Sequence, residues 1–266
     1  MRAIVALVRA ALLSAMSYRL RMVLSLASVL LTIIPVYFVS DALQPVLATA
    51  LRGEGEQYFA FLVVGTGALL FLTTALTTLP GAIGSGITTG TWEALLATPA
   101  SRWSLLAGMS GYAFLWSAAK AVALLVTGVL LGAKIAWGGV LPAIVVLILT
   151  VVPYYALGLV SAGAVLAWRT RTPVAQLALL ASVFLGGVYY PTHLVPGWLE
   201  QVSAWIPLTY GLRALRRLLL EGASVAAVLP DVELLLLFDV VFVLLGTGVF
   251  VVAMRHARRA GTLAQY

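Results

Sequence analysis

The segment Ile135–Trp168 carries no charge at all and is bounded by Lys134 and Arg169. As a helix rising ~1.5 Å per residue it is longer than the ~30 Å hydrocarbon core of a bilayer. A run of this kind is either the centre of a large soluble core or a membrane span, and composition decides between them. Apolar residues make up 62% of the 266 and charged residues 9%, against roughly 45–50% and about 25% in soluble domains. The mean hydropathy is +1.08. The chain lacks the polar surface a water-soluble fold needs, so it belongs in a membrane. The net charge of +7 is therefore weighed against a bilayer rather than against nucleic acid. No cysteine is present, and His193 and His256 make no metal-ligand pattern.

Stretches of about 20 mostly apolar residues mark the spans. Six are expected, at 22–43, 58–80, 103–132, 140–168, 172–190 and 233–254. The third is interrupted by Lys120 and the sixth contains Asp239. Pro35, Pro142 and Pro153 mark bends within spans, while Gly128, Gly132, Gly186 and Gly187 suit close packing of helices. Residues 1–21 read as a moderately amphipathic helix lying along the interface, with a frayed basic leader as the plainer reading; the basic region is too long for a signal peptide and the apolar run after it is long enough to span.

Charge sets the orientation. With the N-terminus inside, Arg2, Arg9, Arg19, Arg21, Arg102, Arg169, Arg171, Arg255, Arg258 and Arg259 all fall on the cytoplasmic side, with Glu93 the acid among them. The outer side holds Arg52, Lys134, Arg213, Arg216 and Arg217 against Asp41, Glu54, Glu56, Glu200, Glu221, Asp231 and Glu233. This asymmetry places both termini in the cytoplasm and fits a multi-pass protein of the inner (plasma) membrane.

Two connections are unlike ordinary loops. Between the second and third spans, a glycine-rich start and Thr-Thr-Gly-Thr predict a break in the helix. A short helix follows, with Thr91 as cap, Glu93 in its first turn and Pro99 ending it. It offers Trp92, Leu95 and Leu96 either to a partner or to the bilayer surface. After the fifth span, Pro191, Pro196 and Pro207 forbid one continuous helix, yet residues 191–210 stay apolar. Irregular backbone at membrane depth must be buried in protein or face a watery cavity. Half-helices dipping from the outer surface are expected there, with a flat surface segment as the other reading.

These two connections carry a resemblance. Gly90-Thr-Trp-Glu-Ala-Leu-Leu-Ala-Thr-Pro99 followed by Ser101-Arg102 is similar to the cytoplasmic signature of ABC-2-type permeases, the membrane subunits of ATP-binding-cassette exporters. Tyr189-Tyr-Pro-Thr-His-Leu-Val-Pro-Gly-Trp198 and Ile206-Pro-Leu-Thr-Tyr-Gly-Leu-Arg-Ala-Leu-Arg216 resemble its second signature. The resemblance covers essentially the whole chain. It implies an all-α membrane fold with six spans, an N-terminal interface helix, a coupling helix at about 89–98 and re-entrant half-helices. It also implies that Gly90, Thr91, Trp92, Glu93, Leu95 and Leu96 dock on a separate cytoplasmic ATPase subunit, present in two copies. A second permease chain, in a homodimer, completes the export path. The chain has no Gly-x-x-x-x-Gly-Lys-Ser/Thr loop, and its lysines are Lys120 and Lys134 alone. ATP and Mg therefore belong to the partner, and no cofactor is expected here.

Weighed singly, Lys120 and Asp239 are costly in lipid. They are read as an ion pair or as separate snorkelling groups, with a part in substrate or proton movement as the sharper reading. Arg213, Arg216 and Arg217 read as anchors at the outer headgroups or as contacts to a phosphate. Tyr189, Tyr190, Trp198 and Trp205 line an exit or belong to the aromatic belt. The expected cargo is an amphipathic or lipid-like compound, or else a polysaccharide or lipid-linked glycan. A membrane-embedded enzyme is disfavoured because Asp239 is the one acid deep in a span. An ion-coupled carrier is disfavoured because the two halves show no repeat.

Overall fold

The computed structural model describes residues 2–47, 57–91, 95, 97–98, 101–168 and 173–259. The readings placed on Arg52, Glu54, Glu56, Trp92, Glu93, Leu96, Pro99, Arg169 and Arg171 lie outside them. The helices are α1 (Arg2–Ser17), α2 (Arg19–Leu47), α3 (Tyr58–Thr88), α4 (Arg102–Leu130), α5 (Val140–Trp168), α6 (Val174–Leu185), α7 (Gly197–Ser203), α8 (Pro207–Leu219) and α9 (Val225–Arg259). Short 3-10 turns at Trp137–Gly139 and Thr192–Leu194 precede α5 and α7.

Among the described residues, five helices are long and apolar enough to cross a membrane: α2, α3, α4, α5 and α9. The expected fifth span, 172–190, is realised only as α6. Its 12 residues reach about 18 Å and cannot cross the hydrocarbon core alone. The chain then turns at Gly186 and Gly187 instead of continuing to Tyr190.

α3 and α5 form the centre of the bundle, with α9 and α3 on either side of α5 and α4 beyond α3. Lipid tails are as apolar as leucine, so helices in a bilayer associate through close packing rather than through hydrophobic exclusion. Two glycines bring the central backbones together. A Cβ on Gly158 of α5 would lie 2.3 Å from the Ala75 carbonyl oxygen of α3, and one on Gly246 of α9 would lie 2.6 Å from that of Ala156. Gly128 packs as expected, against Val63, whereas Gly132 has open space and serves a turn.

One end of the bundle gathers Tyr58, Gly132, Lys134 and Tyr189. Gln57 joins it by donating from Nε2 to the Gly132 carbonyl (3.0 Å) and accepting from the Lys134 amide (3.0 Å). At the opposite end Leu79, Ile83, Leu106, Leu166 and Met254 close the core.

α3 continues past Pro80 to Thr88, through the glycine-rich stretch expected to break it. Ile83 is fully buried there and Gly84 faces Val165, so packing against α5 overrides the weak helix propensity of glycine. The break comes at Gly90, whose φ of 70° and bond from its amide to the Ile87 carbonyl terminate the helix. α9 likewise begins eight residues before the expected 233 and takes in Asp231. α1 packs along α4, with Leu7 on Gly108 and Val8 on Gly111.

Candidate functional site: a buried helix carrying three arginines

Pro191, Pro196 and Pro207 each sit just before or at the first position of a helical turn, where a missing N–H costs nothing. They divide the connection after α6 into a hairpin, α7 and then α8. The expected re-entrant segment, 191–210, stops four residues into α8, which runs on to Leu219. Leu208, Leu212 and Leu218 are fully buried against Val64, Ala68 and Leu72 of α3 and the first half of α5. The far end of α8 returns to the Tyr58 end of the bundle, where the Ala136 amide donates to the Leu219 carbonyl (2.6 Å). Among the described residues α8 is packed into the protein along most of its length.

The sequence reading placed Arg213, Arg216 and Arg217 together at the headgroups, and the fold separates them. Arg216 is only 2% exposed. It donates from Nη2 to the Val188 carbonyl (3.1 Å) and to that of Phe61 (3.5 Å), and its Cζ stands 3.3 Å from the Phe61 ring centroid. Carbonyl oxygens and an aromatic face both attract a guanidinium. Arg213 and Arg217 are half-exposed and converge on Asp231 of α9, at 3.3 and 3.9 Å. Arg213 also lies over the Tyr210 ring. One buried carboxylate thus ties α8 to α9, while Arg216 ties it to α3 and to the turn after α6. At the inner end of the hairpin the hydroxyls of Tyr154 and Ser182 meet at 2.7 Å and join α5 to α6.

The aromatic residues assigned to an exit lie on the outside of this hairpin. Trp198 and Trp205 are 67% and 79% exposed. Tyr189 accepts at its carbonyl from the Tyr58 hydroxyl (2.8 Å), and the Tyr190 hydroxyl donates to the Phe184 carbonyl.

In the 89–98 segment, Gly90 and Thr91 are exposed at the end of α3. Thr91 Oγ1 is 2.9 Å from Thr89 Oγ1. Leu95 is half-buried and turned inward onto the Leu79, Ile83 and Leu106 cluster rather than outward.

Lys120 and Asp239 are not brought together. Trp116 and Leu124, one turn either side of Lys120, face α2 through Ser25 and through Val29 and Ile33. Asp239 sits on the buried stripe of α9. Between α4, α5 and α9 runs an apolar groove of about 890 Å³, and a smaller cavity of about 400 Å³ lies among α3, α5 and α6, beside Thr77, Pro80, Ser161 and Gln176. No motif flagged either one, because each is made by the spaces between helices.

Residues 2–220 match the family model for the ABC-2 type transporter. This chain belongs to the ABC-2 type transporter family. The match runs from α1 through the end of α8, so the arginine-bearing hairpin lies inside it. Among known relatives, Nodulation protein J of Rhizobium leguminosarum bv. viciae is 28% identical over 202 residues, covering 74% of this chain and 76% of that protein. The linearmycin resistance permease protein LnrN of Bacillus subtilis (strain 168) is 28% identical over 178 residues, covering 64% of this chain but only 44% of its own length. The chain is a multi-pass, all-helical membrane subunit of the ABC transporter type.

Proposed function

We propose that this ABC-2 subunit is the permease of an exporter that moves an amphipathic or lipid-like compound outward. A separate cytoplasmic ATPase, in two copies, drives it. A second copy of the chain completes the path, and both termini face the cytoplasm of the inner membrane. The observation that carries this reading is the family match across residues 2–220. It is supported by one relative's being a resistance permease, and by the apolar walls of the large groove, which suit a hydrocarbon-bearing cargo better than a glycan.

ATP-driven closure of the partner subunits would press on residues 89–98, with Glu93 pairing with a basic group of the ATPase and Trp92 seated in its cleft. Leu95, packed on the bundle, would pass that load to α3 and α4. The ATP-bound partner must contact the two membrane conformations differently, since otherwise it shifts nothing.

The test is co-expression with a cassette ATPase and joint purification. Glu93→Lys is expected to lower substrate-stimulated hydrolysis roughly tenfold, within the usual range of coupling energies, while leaving membrane insertion intact. Full stimulation in that variant, or nucleotide hydrolysis by the permease alone, overturns the proposal.

A further inference from the structure

One helical turn beyond Val243, which lines the groove between α4, α5 and α9, stands the carboxyl group of Asp239, whose Oδ1 has no hydrogen-bond partner among the described residues. Phe114 and Ala118 of α4, Val152 and Tyr155 of α5, and Val243 and Thr247 of α9 are among the groove's walls. Its volume falls in the range of small-molecule pockets, ~300–1,000 Å³. The hydroxyls along it are engaged: Ser110 and Tyr155 bond each other at 2.9 Å, and Thr247 donates to the Val243 carbonyl at 2.6 Å. The walls therefore suit a hydrocarbon body.

Asp239 lies one turn from Val243 on the same helix. α5 and α9 run parallel, with Gly246 against Ala156 and Gly163 against Ala253. The same register sets Asp239 level with Leu149, between the groove-lining Ile148 and Val152. Asp239 is 8% exposed, and its Oδ1 is buried with no hydrogen-bond donor. A carboxyl group at this depth is expensive unless something balances it.

No basic side chain among the described residues pairs with it. Lys120 is on the α2-facing side of α4, away from the groove. Arg213 and Arg217 engage Asp231, and Arg216 engages Val188 and Phe61.

We infer that this seam binds an amphipathic cation, its apolar body in the groove and its positive nitrogen on the Asp239 carboxyl. The inference rests on the exporter reading and narrows its cargo. The experiment uses the full chain in lipid nanodiscs and measures saturable binding of radiolabelled dodecyltrimethylammonium, whose charge is independent of pH. Wild-type protein should bind it, and Asp239→Asn should weaken binding about tenfold, the loss of one charge-assisted contact. Asp239→Glu should restore most of it. Ala118→Trp, which fills the groove, should abolish binding with Asp239 intact. Uncharged dodecanol should compete for the Asp239→Asn groove as well as for the wild-type one.

Binding by Asp239→Asn within twofold of wild type, or no saturable binding by the wild type, overturns the site. Hydrolysis by the co-purified ATPase is read in parallel. Stimulation that persists without binding sinks this site alone, whereas absence of any coupling sinks the exporter reading.

Discussion

Arg213 of α8 and Asp231 of α9 meet at 3.3 Å, the carboxylate buried and the guanidinium half in the open, with Arg217 on the second oxygen at 3.9 Å. This is a charged tie between α8 and the last long helix. Asp231→Asn should leave two arginines facing a weaker acceptor and loosen α8 from α9. Breaking a fully buried pair costs about 3–5 kcal/mol; the exposure of the arginines screens this one, and about 1–3 kcal/mol is expected. A fall in the thermal unfolding midpoint in detergent checks it, and a double-mutant cycle with Arg213→Ala apportions the pair.

Arg216→Lys should be far from conservative. An ammonium group cannot both stack on the Phe61 ring and reach the Val188 and Phe61 carbonyls, contacts that the planar guanidinium makes together. A loss of about 2 kcal/mol is expected. Faster protease cleavage in the 186–196 connection would report it, and unchanged cleavage would refute it.

Gly246 and Gly248 make a matched pair. A methyl group on Gly246 would meet the Ala156 carbonyl oxygen at 2.6 Å, whereas Gly248 has nothing within 4 Å. Gly246→Ala should destabilise by about 1–3 kcal/mol through forced separation of α5 and α9. Gly248→Ala should be neutral or slightly stabilising by helix propensity. Parallel melts of the two variants decide the matter.

Gly90→Ala isolates backbone conformation from packing, since open space surrounds that position while φ is 70°. The strain of a left-handed alanine is roughly 1–2 kcal/mol. It should fall on the exit from α3, changing ATPase coupling more than thermal stability. Gly90→Asn, better tolerated in this conformation, should recover most of the coupling.

The sequence located α5 at both ends, 140–168, because charges and a Gly-Gly pair bracket an unbroken apolar run. It erred where packing overrules local signals. Pro80 and Gly81 looked like an ending for α3, yet the helix persists because Ile83 is fully buried on α5. Arg216 looked like a headgroup anchor, since a lone side chain gives no sign that a ring and two carbonyls await it. Its neighbours did hold a clue. Leu208, Leu212, Leu215 and Leu219 recur at helical spacing across the supposed end of the re-entrant segment. Lys120 and Asp239 invited pairing by sign alone, and helix azimuth, unreadable without a register, sets them apart.

Only Tyr18 separates α1 from α2, and α1 is seated on Gly108 and Gly111, two turns into α4. The amino-terminal helix and the helix that follows the 89–98 segment are therefore geared together. On the proposed mechanism, a thrust delivered at that segment would swing the root of α2 through the same lever arm, and the first and third long helices would turn as one crank around α3.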